Sequence, residues 1–286
     1  TAIAVGAALL ILTAWLVLRS PSPGVEDAAL VASLNFGKYQ AVVIGNNAYE
    51  HLEQLQTAVP DAKALASVLE GQYGFEVERL ENVTRHDLVR ALELKARATR
   101  PEDHLLVYYA GHGRLEEPND RAYWQPVDAD PANTSNWISS LEVSDVLLDA
   151  KARHVLVVAD SCYSGAMATA LPEDAGPTGS AADRRSWFES RLGKHGRLVL
   201  TSGGVDPVPD GGSAGHSIFA RRLLDVLREN RGILRGRQLY DLVTQGLEGQ
   251  GRPGLVAKPS FGALKTAGDE GGEFFFVPRS LRRVSS

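Results

Sequence analysis

Cys162 is the only cysteine in the chain, and it stands just past an apolar run in Val155-Leu-Val-Val-Ala-Asp-Ser-Cys-Tyr-Ser-Gly165. His112 lies 50 positions upstream, where Leu105-Leu-Val-Tyr-Tyr-Ala110 runs into Gly111-His112-Gly113. A thiol attacks as its thiolate, so an imidazole that takes the proton is the minimum activation it needs. Glycine on both sides of His112 leaves the backbone free to turn sharply, and the N–H groups of Gly113 and Cys162 could converge on one carbonyl oxygen as an oxyanion hole. Acyl transfer is the chemistry of such a set, with His112 returning the proton to the leaving amine. Taken singly, a cysteine after a Val-rich strand packs as a small hydrophobe, and a histidine after a strand is a hydrogen-bonded turn residue. The two together point to a site, because Asp160 and Ser164 give Cys162 polar surroundings that an inert core thiol does not need.

Two such turns face each other only if the strands that end in them are parallel neighbours, and the rest of the chain supplies the crossovers. Tyr39 to Gly45 is a short β-branched run closed by Gly-Asn-Asn. Residues 60–71 repeat Ala64, Leu65, Val68 and Leu69 at a helical period, and Phe75 to Leu80 alternates as a half-buried strand. Thr84 caps a helix to about Thr99 with Leu88, Leu92 and Ala96 on one face. After the strand 105–110, residues 114–140 are a long polar excursion, 141–150 a helix and 154–159 the next strand. Residues 172–191 lose all periodicity and read as an exposed loop, and 197–201 is another strand. Helices over 217–229 and 238–247 and a final strand over 273–277 complete the series. Strands alternating with helices predict an α/β fold, a mostly parallel sheet covered on both faces. In such sheets functional groups gather beyond the carboxyl ends of the strands, which is where His112, Asp160 and Cys162 fall.

Composition removes several classes of function. The chain has 286 residues and a formal net charge of -5, which gives no support for a nucleic-acid partner. A single cysteine excludes an intramolecular disulfide and a Cys-rich zinc site. With no HExxH, no GxxxxGK[ST] and no strand-borne GxGxxG, the chemistry is expected to run without a cofactor. Residues 2–18 are uncharged and almost wholly apolar, near the lower limit of roughly 17 to 25 residues for a membrane-spanning helix. They read as a single-pass membrane anchor in preference to a signal peptide, since no small-x-small site follows them before Arg19-Ser-Pro-Ser-Pro. The expected organisation is a transmembrane segment over 1–19, a linker over 20–36, one folded domain over 37–278 and a basic tail over 279–286.

Tyr108-Tyr-Ala-Gly-His-Gly113 and Asp160-Ser-Cys-Tyr-Ser-Gly165 resemble the His and Cys motifs of caspase-like cysteine peptidases, in particular metacaspases and their bacterial relatives. The resemblance runs from about Lys38 to Val277. It implies a caspase-hemoglobinase-like three-layer fold, His112 and Cys162 as a catalytic dyad, and peptide or protein substrates. Caspases carry Gln-Ala-Cys where this chain has Asp160-Ser-Cys162, and they hold an acidic P1 side chain with basic residues; an aspartate at the pocket floor selects arginine or lysine instead. Asp61, in Pro60-Asp-Ala62, resembles the second pocket acid of metacaspases; the alternative is a first-turn helix residue favoured by the helix dipole. Some metacaspases are activated by calcium through acids after the Gly-His-Gly strand. This chain keeps Asp128 and Asp130 but has Ser139-Ser140 where paired acids are expected, and both aspartates read as solvated turn residues with no metal. The resemblance implies a cut between large and small parts in residues 172–191; basic residues there match the expected P1, so self-cleavage is expected after Arg184 or Arg185, the alternative being an ordinary solvated loop. The competing expectation is a caspase-like domain that binds or scaffolds without cleaving.

Overall fold

The apolar strands are buried on both faces, which is what sets them in parallel at the centre of the molecule. The computed structural model describes residues 23–116, 121–161, 164–203, 215–248 and 258–282. In chain order the first elements are α1 (Pro23–Ser33), β1 (Tyr39–Gly45), α2 (Ala58–Val68), β2 (Glu76–Glu81), α3 (Arg85–Ala98) and β3 (His104–Ala110). Then come β4 (Gly113–Glu116), β5 (Arg121–Trp124), β6 (Ile138–Ser139), α4 (Ser140–Leu148), β7 (His154–Asp160), β8 (Ala168–Thr169) and α5 (Ala181–Leu192). The last group is β9 (Gly196–Thr201), α6 (Ile218–Glu229), β10 (Leu234–Arg235), α7 (Gly236–Glu248), β11 (Ser260–Leu264), β12 (Phe275–Phe276) and α8 (Arg279–Arg282).

Seven strands form one sheet in the order β2-β1-β3-β7-β9-β11-β8. The first five are parallel, while β11 runs antiparallel to β9 and β8 antiparallel to β11. Alternate residues feed two separate cores. Ala41, Val43, Leu106, Tyr108, Leu156 and Val158 pack with α2, α6, α7 and the Phe274–Val277 segment. Val42, Ile44, Leu105, Val107, Tyr109, Val155 and Val157 pack on the other face with α3, α4 and the β5–β6 hairpin residues Ala122, Trp124 and Ile138. This is the three-layer α/β arrangement that the alternation of strands and helices predicts.

Several local expectations change. The segment over 172–191 is not one exposed loop, because residues 181–192 form α5, opened by a reciprocal capping box between Ser180 and Asp183. Its apolar face is narrow, with Phe188 as the buried residue, so the surrounding charges hide the period. Arg184 pairs with Asp27 at 3.2 Å and Arg185 with Glu189 at 2.8 Å, so both proposed cleavage points stand on a helix. The linker contains α1, which carries Asp27, and sends Val31 and Phe36 into the core. The basic tail starts as α8, with Leu281 buried and the Arg282 guanidinium 4.4 Å from the Tyr39 ring centre. The polar excursion after β3 carries the antiparallel sheet β4-β5-β6. The expected last strand shrinks to β12, which pairs with β10 outside the main sheet, and β11, which the sequence reading missed, takes an antiparallel place beside β9. The apolar residues 2–18 lie outside the described residues; among the described residues no helix is long and apolar enough to cross a membrane.

At the opposite ends of β3 and β7 from the motif turns, His104 and His154 stack with ring centres 4.5 Å apart, and His104 also stacks on Tyr39. Burial holds both imidazoles below their ordinary value of 6.5, His154 at about 4 and His104 well below. The unfolded chain therefore takes up protons first, and stability is withdrawn as pH falls from 6.5 towards 4. For His154 the withdrawn stability approaches about 3 kcal/mol. His104→Phe keeps a ring among the same neighbours without the titrating group. We expect its melting temperature, relative to the parent, to rise by several degrees between pH 7 and pH 5. A difference that is the same at both pH values refutes this account.

Candidate active site

The parallel register brings Gly45, Ala110 and Asp160 level at the carboxyl ends of β1, β3 and β7. His112 follows two residues after Ala110, and Cys162 two residues after Asp160. Cys162 itself lies outside the described residues. Asn46 and Asn47 turn the chain after β1: the Asn46 side chain accepts from the Val83 N–H, and the Asn82 side chain accepts from the N–H groups of Asn47 and Ala48. That network presents Tyr49 to His112, with ring centres 4.6 Å apart. The His112 N–H donates to the Tyr49 hydroxyl at 2.7 Å, and Nε2 of His112 lies 2.7 Å from the carbonyl oxygen of Glu53. A carbonyl can only accept, so Nε2 carries a proton, and in that tautomer Nδ1 is the nitrogen with the free lone pair. A Cβ at Gly111 would stand 2.5 Å from the Tyr49 hydroxyl and 2.9 Å from that of Tyr109, so only glycine lets both approach. Gly113 opens β4 and pairs with Trp124.

The two predicted pocket acids are brought together. Gly45 makes room for α2, since a Cβ there would meet the Ala58 carbonyl oxygen at 2.5 Å, and this close docking sets Asp61 of the first turn beneath the strand ends. Ser217 joins the acids: its N–H donates to Oδ2 of Asp61 at 3.1 Å and its hydroxyl to Oδ2 of Asp160 at 2.6 Å. Nδ1 of His216 lies 2.5 Å from the other oxygen of Asp61. Burial pushes the Asp61 carboxyl up to about 7, opposed by the Ser217 N–H, aided by the neighbouring Asp160 charge and opposed again by His216. Burial lifts Asp160 to about 6 against the pull of the Ser217, Ser202 and Tyr108 hydroxyls. The opening residues of α2 and α6 thus meet at the sheet edge.

Tyr49, the Glu53 carbonyl, Ser202, His216 and Ser217 were missed in the sequence. Of these, Ser217 alone had a visible signal, as a helix cap, and its hydroxyl does accept from the Ala220 N–H. Arg184 and Arg185 take no part in this cluster, being paired with Asp27 and Glu189. Asp128 and Asp130 accept from the backbone N–H groups of Arg85 and Ala132, and among the described residues no group of three or more His, Cys, Asp or Glu side chains gathers to hold a metal.

The model of one protein family, the caspase domain of the C14 peptidases, matches residues 38–261. The chain belongs to the caspase-domain peptidase family. The domain is 26% identical over 163 residues to metacaspase-1 of Eremothecium gossypii and 26% identical over 151 residues to metacaspase-1 of Saccharomyces cerevisiae S288c. Those alignments cover 50% and 45% of this chain but only 35% and 34% of the two relatives, so it spans about a third of their length. Protein GSU0716 of Geobacter sulfurreducens shares the fold with a TM-score of 0.54 at 21% identity, over 79% of this chain and 92% of that one. Caspase-1 of Spodoptera frugiperda does so with a TM-score of 0.54 at 15% identity, over 80% and 88%. The caspase-like expectation from the two motifs therefore holds.

Within this caspase domain the hold on His112 has a measurable consequence. Tyr49→Phe removes the acceptor of the His112 N–H while keeping the ring, so peptide hydrolysis should fall about tenfold through kcat, the scale of one lost positioning hydrogen bond. Unchanged kcat would mean that the Glu53 carbonyl alone fixes the ring.

Proposed function

We propose that this caspase domain is a cysteine endopeptidase that cleaves peptide bonds after arginine or lysine. The observation that carries the specificity is the pair Asp61 and Asp160, two carboxyls gathered by one serine at the strand ends next to the His112 turn. A guanidinium or ammonium at P1 supplies the positive charge that two neighbouring carboxylates lack, whereas an acidic P1 side chain meets like charge.

In the reaction, Nδ1 of His112 takes the thiol proton of Cys162 and the thiolate attacks the carbonyl carbon of the P1 residue. The N–H groups of Gly113 and Cys162 hold the oxyanion of the tetrahedral intermediate. As the C–N bond breaks, His112 passes its proton to the departing amine and a thioester remains. Water, deprotonated by His112, attacks the thioester; the C–S bond breaks, the carboxyl product leaves and the proton returns to the sulfur. The apolar residues 2–18 would tether this domain to a membrane. Self-cleavage after Arg184 or Arg185 would require the first turn of α5 to open, because a peptidase groove takes extended chain.

Cys162→Ala should abolish hydrolysis of an Arg-P1 reporter peptide while the circular dichroism melt is unchanged, and His112→Ala should fall nearly as far. Comparable turnover by the cysteine variant refutes the nucleophile. For the wild type we expect kcat/KM for Arg-P1 to exceed that for an otherwise identical Asp-P1 peptide by about a thousandfold, with Asp160→Asn removing most of the difference. The KM for Arg-P1 should rise as pH drops from about 7 to below about 6, since Asp61 and Asp160 then gain protons and lose their attraction for the cation. Equal rates on the two peptides refute the acidic pocket.

A further inference from the structure

The acid pocket already has an occupant. Both oxygens of Asp61 are engaged, Oδ1 by the imidazole of His216 at 2.5 Å and Oδ2 by the Ser217 N–H at 3.1 Å. The Asp61 side chain is only 1% exposed while that of His216 is 24% exposed, so the imidazole is the more accessible member of the pair. Among the described residues His216 is the one basic side chain paired with either acid. The other groups that bear on the pair are Asp160 of β7, the Tyr108 hydroxyl of β3 and Ser217 at the cap of α6. With both Asp61 oxygens engaged, a basic P1 side chain gains Oδ1 by replacing the imidazole there.

We infer that His216 is an internal stand-in for the basic P1 side chain, filling the acid site at Asp61 until an arginine or lysine of the substrate displaces it. This rests on the basic-P1 reading above and adds to it a built-in competitor. Two close carboxylates buried together need a counter-charge, or one of them takes up a proton. In this structure the imidazole of His216 is the basic group set against Asp61, and the substrate's basic side chain takes that place in the complex. Displacement is cheap in structural terms. The α6 cap is made by Ser217, whose hydroxyl accepts from the Ala220 N–H at 2.9 Å while donating to Asp160, so neither contact depends on the imidazole. What must break is the one hydrogen bond between the His216 ring and Oδ1 of Asp61.

The test measures, on the full chain, the KM of Arg-P1 and Asp-P1 reporter peptides and inhibition by benzamidine, a small amidinium that imitates the P1 head group. In His216→Ala the KM for Arg-P1 and the inhibition constant of benzamidine should both fall about tenfold, the scale of one charge-assisted hydrogen bond relieved. In His216→Lys, where the competitor carries a permanent charge, both should rise by a similar factor. His216→Gln keeps a donor to Asp61 without the charge, and should show a smaller fall if the alanine variant does not fold. If both constants are unmoved in the alanine and lysine variants while Arg-P1 remains preferred over Asp-P1, the acid pocket stands and the stand-in role is wrong. A joint loss of kcat and rise of KM in His216→Gln assigns the imidazole to holding Asp61 in place and likewise overturns it. If wild type shows no preference for Arg-P1 and benzamidine does not compete, the basic-P1 reading fails and takes this inference with it.

Discussion

In-register parallel pairing of β1, β3, β7 and β9 is the constraint on which the rest of the molecule depends. Each strand is buried on both faces, so every residue is committed to one of two cores and a slip of one position would exchange them. The register puts Gly45, Ala110 and Asp160 side by side. The next residues of each strand, Asn46, Gly111 and Ser161, therefore leave the sheet along one edge although about 50 to 65 residues separate them in the chain. Parallel strands also need crossovers, and these become the two helical layers that keep the sheet dry.

At that edge the fold accepts an electrostatic cost. Asp61 is almost wholly buried and Asp160 half-buried beside it, and burial drives both carboxyls upward. Two apolar residues of the same volume would be easier to fold. Ser217 offsets part of the cost at both acids, its backbone serving one and its hydroxyl the other while capping α6. Because cap and clamp are the same group, the start of α6 cannot shift without disturbing both acids. His216, immediately before the cap, meets Asp61 through its ring, outside the hydrogen bonds that Ser217 makes to the two acids.

Much of the periphery rests on packing of a different kind. Phe274, Phe275 and Phe276 are fully buried and contact Tyr73, Phe36, Phe188 and Trp187 edge-on or tilted, so residues near the end of the described chain close the core opened by β1. Trp187 takes the guanidiniums of both Arg191 and Arg235 over its ring, at 5.3 and 5.4 Å from the centre. Asp174 reaches the same two arginines, at 3.0 and 3.9 Å. These contacts bind α5 to the body, and they explain how a segment rich in charge and poor in apolar residues can still be a helix.

The sequence alone determined the layered α/β class, the central strands and the turn that carries His112, because double-faced burial writes long apolar runs and a strand that ends in Gly-His-Gly carries its own punctuation. Thr84 as a cap was equally legible, since its hydroxyl acts on the N–H of Asp87 three residues on. Only the tertiary structure decided the helices α1 and α5, whose stripes are too narrow to stand out from their charges, and the antiparallel place of β11, whose pairing partner Leu198–Thr201 is some 60 residues away. It likewise decided which groups orient His112 and which occupy Asp61. A backbone carbonyl such as that of Glu53 has no side-chain signature, and His216 lies 155 residues from the acid it meets. Contacts of that range are set by sheet register and helix docking, and local sequence patterns carry no information about them.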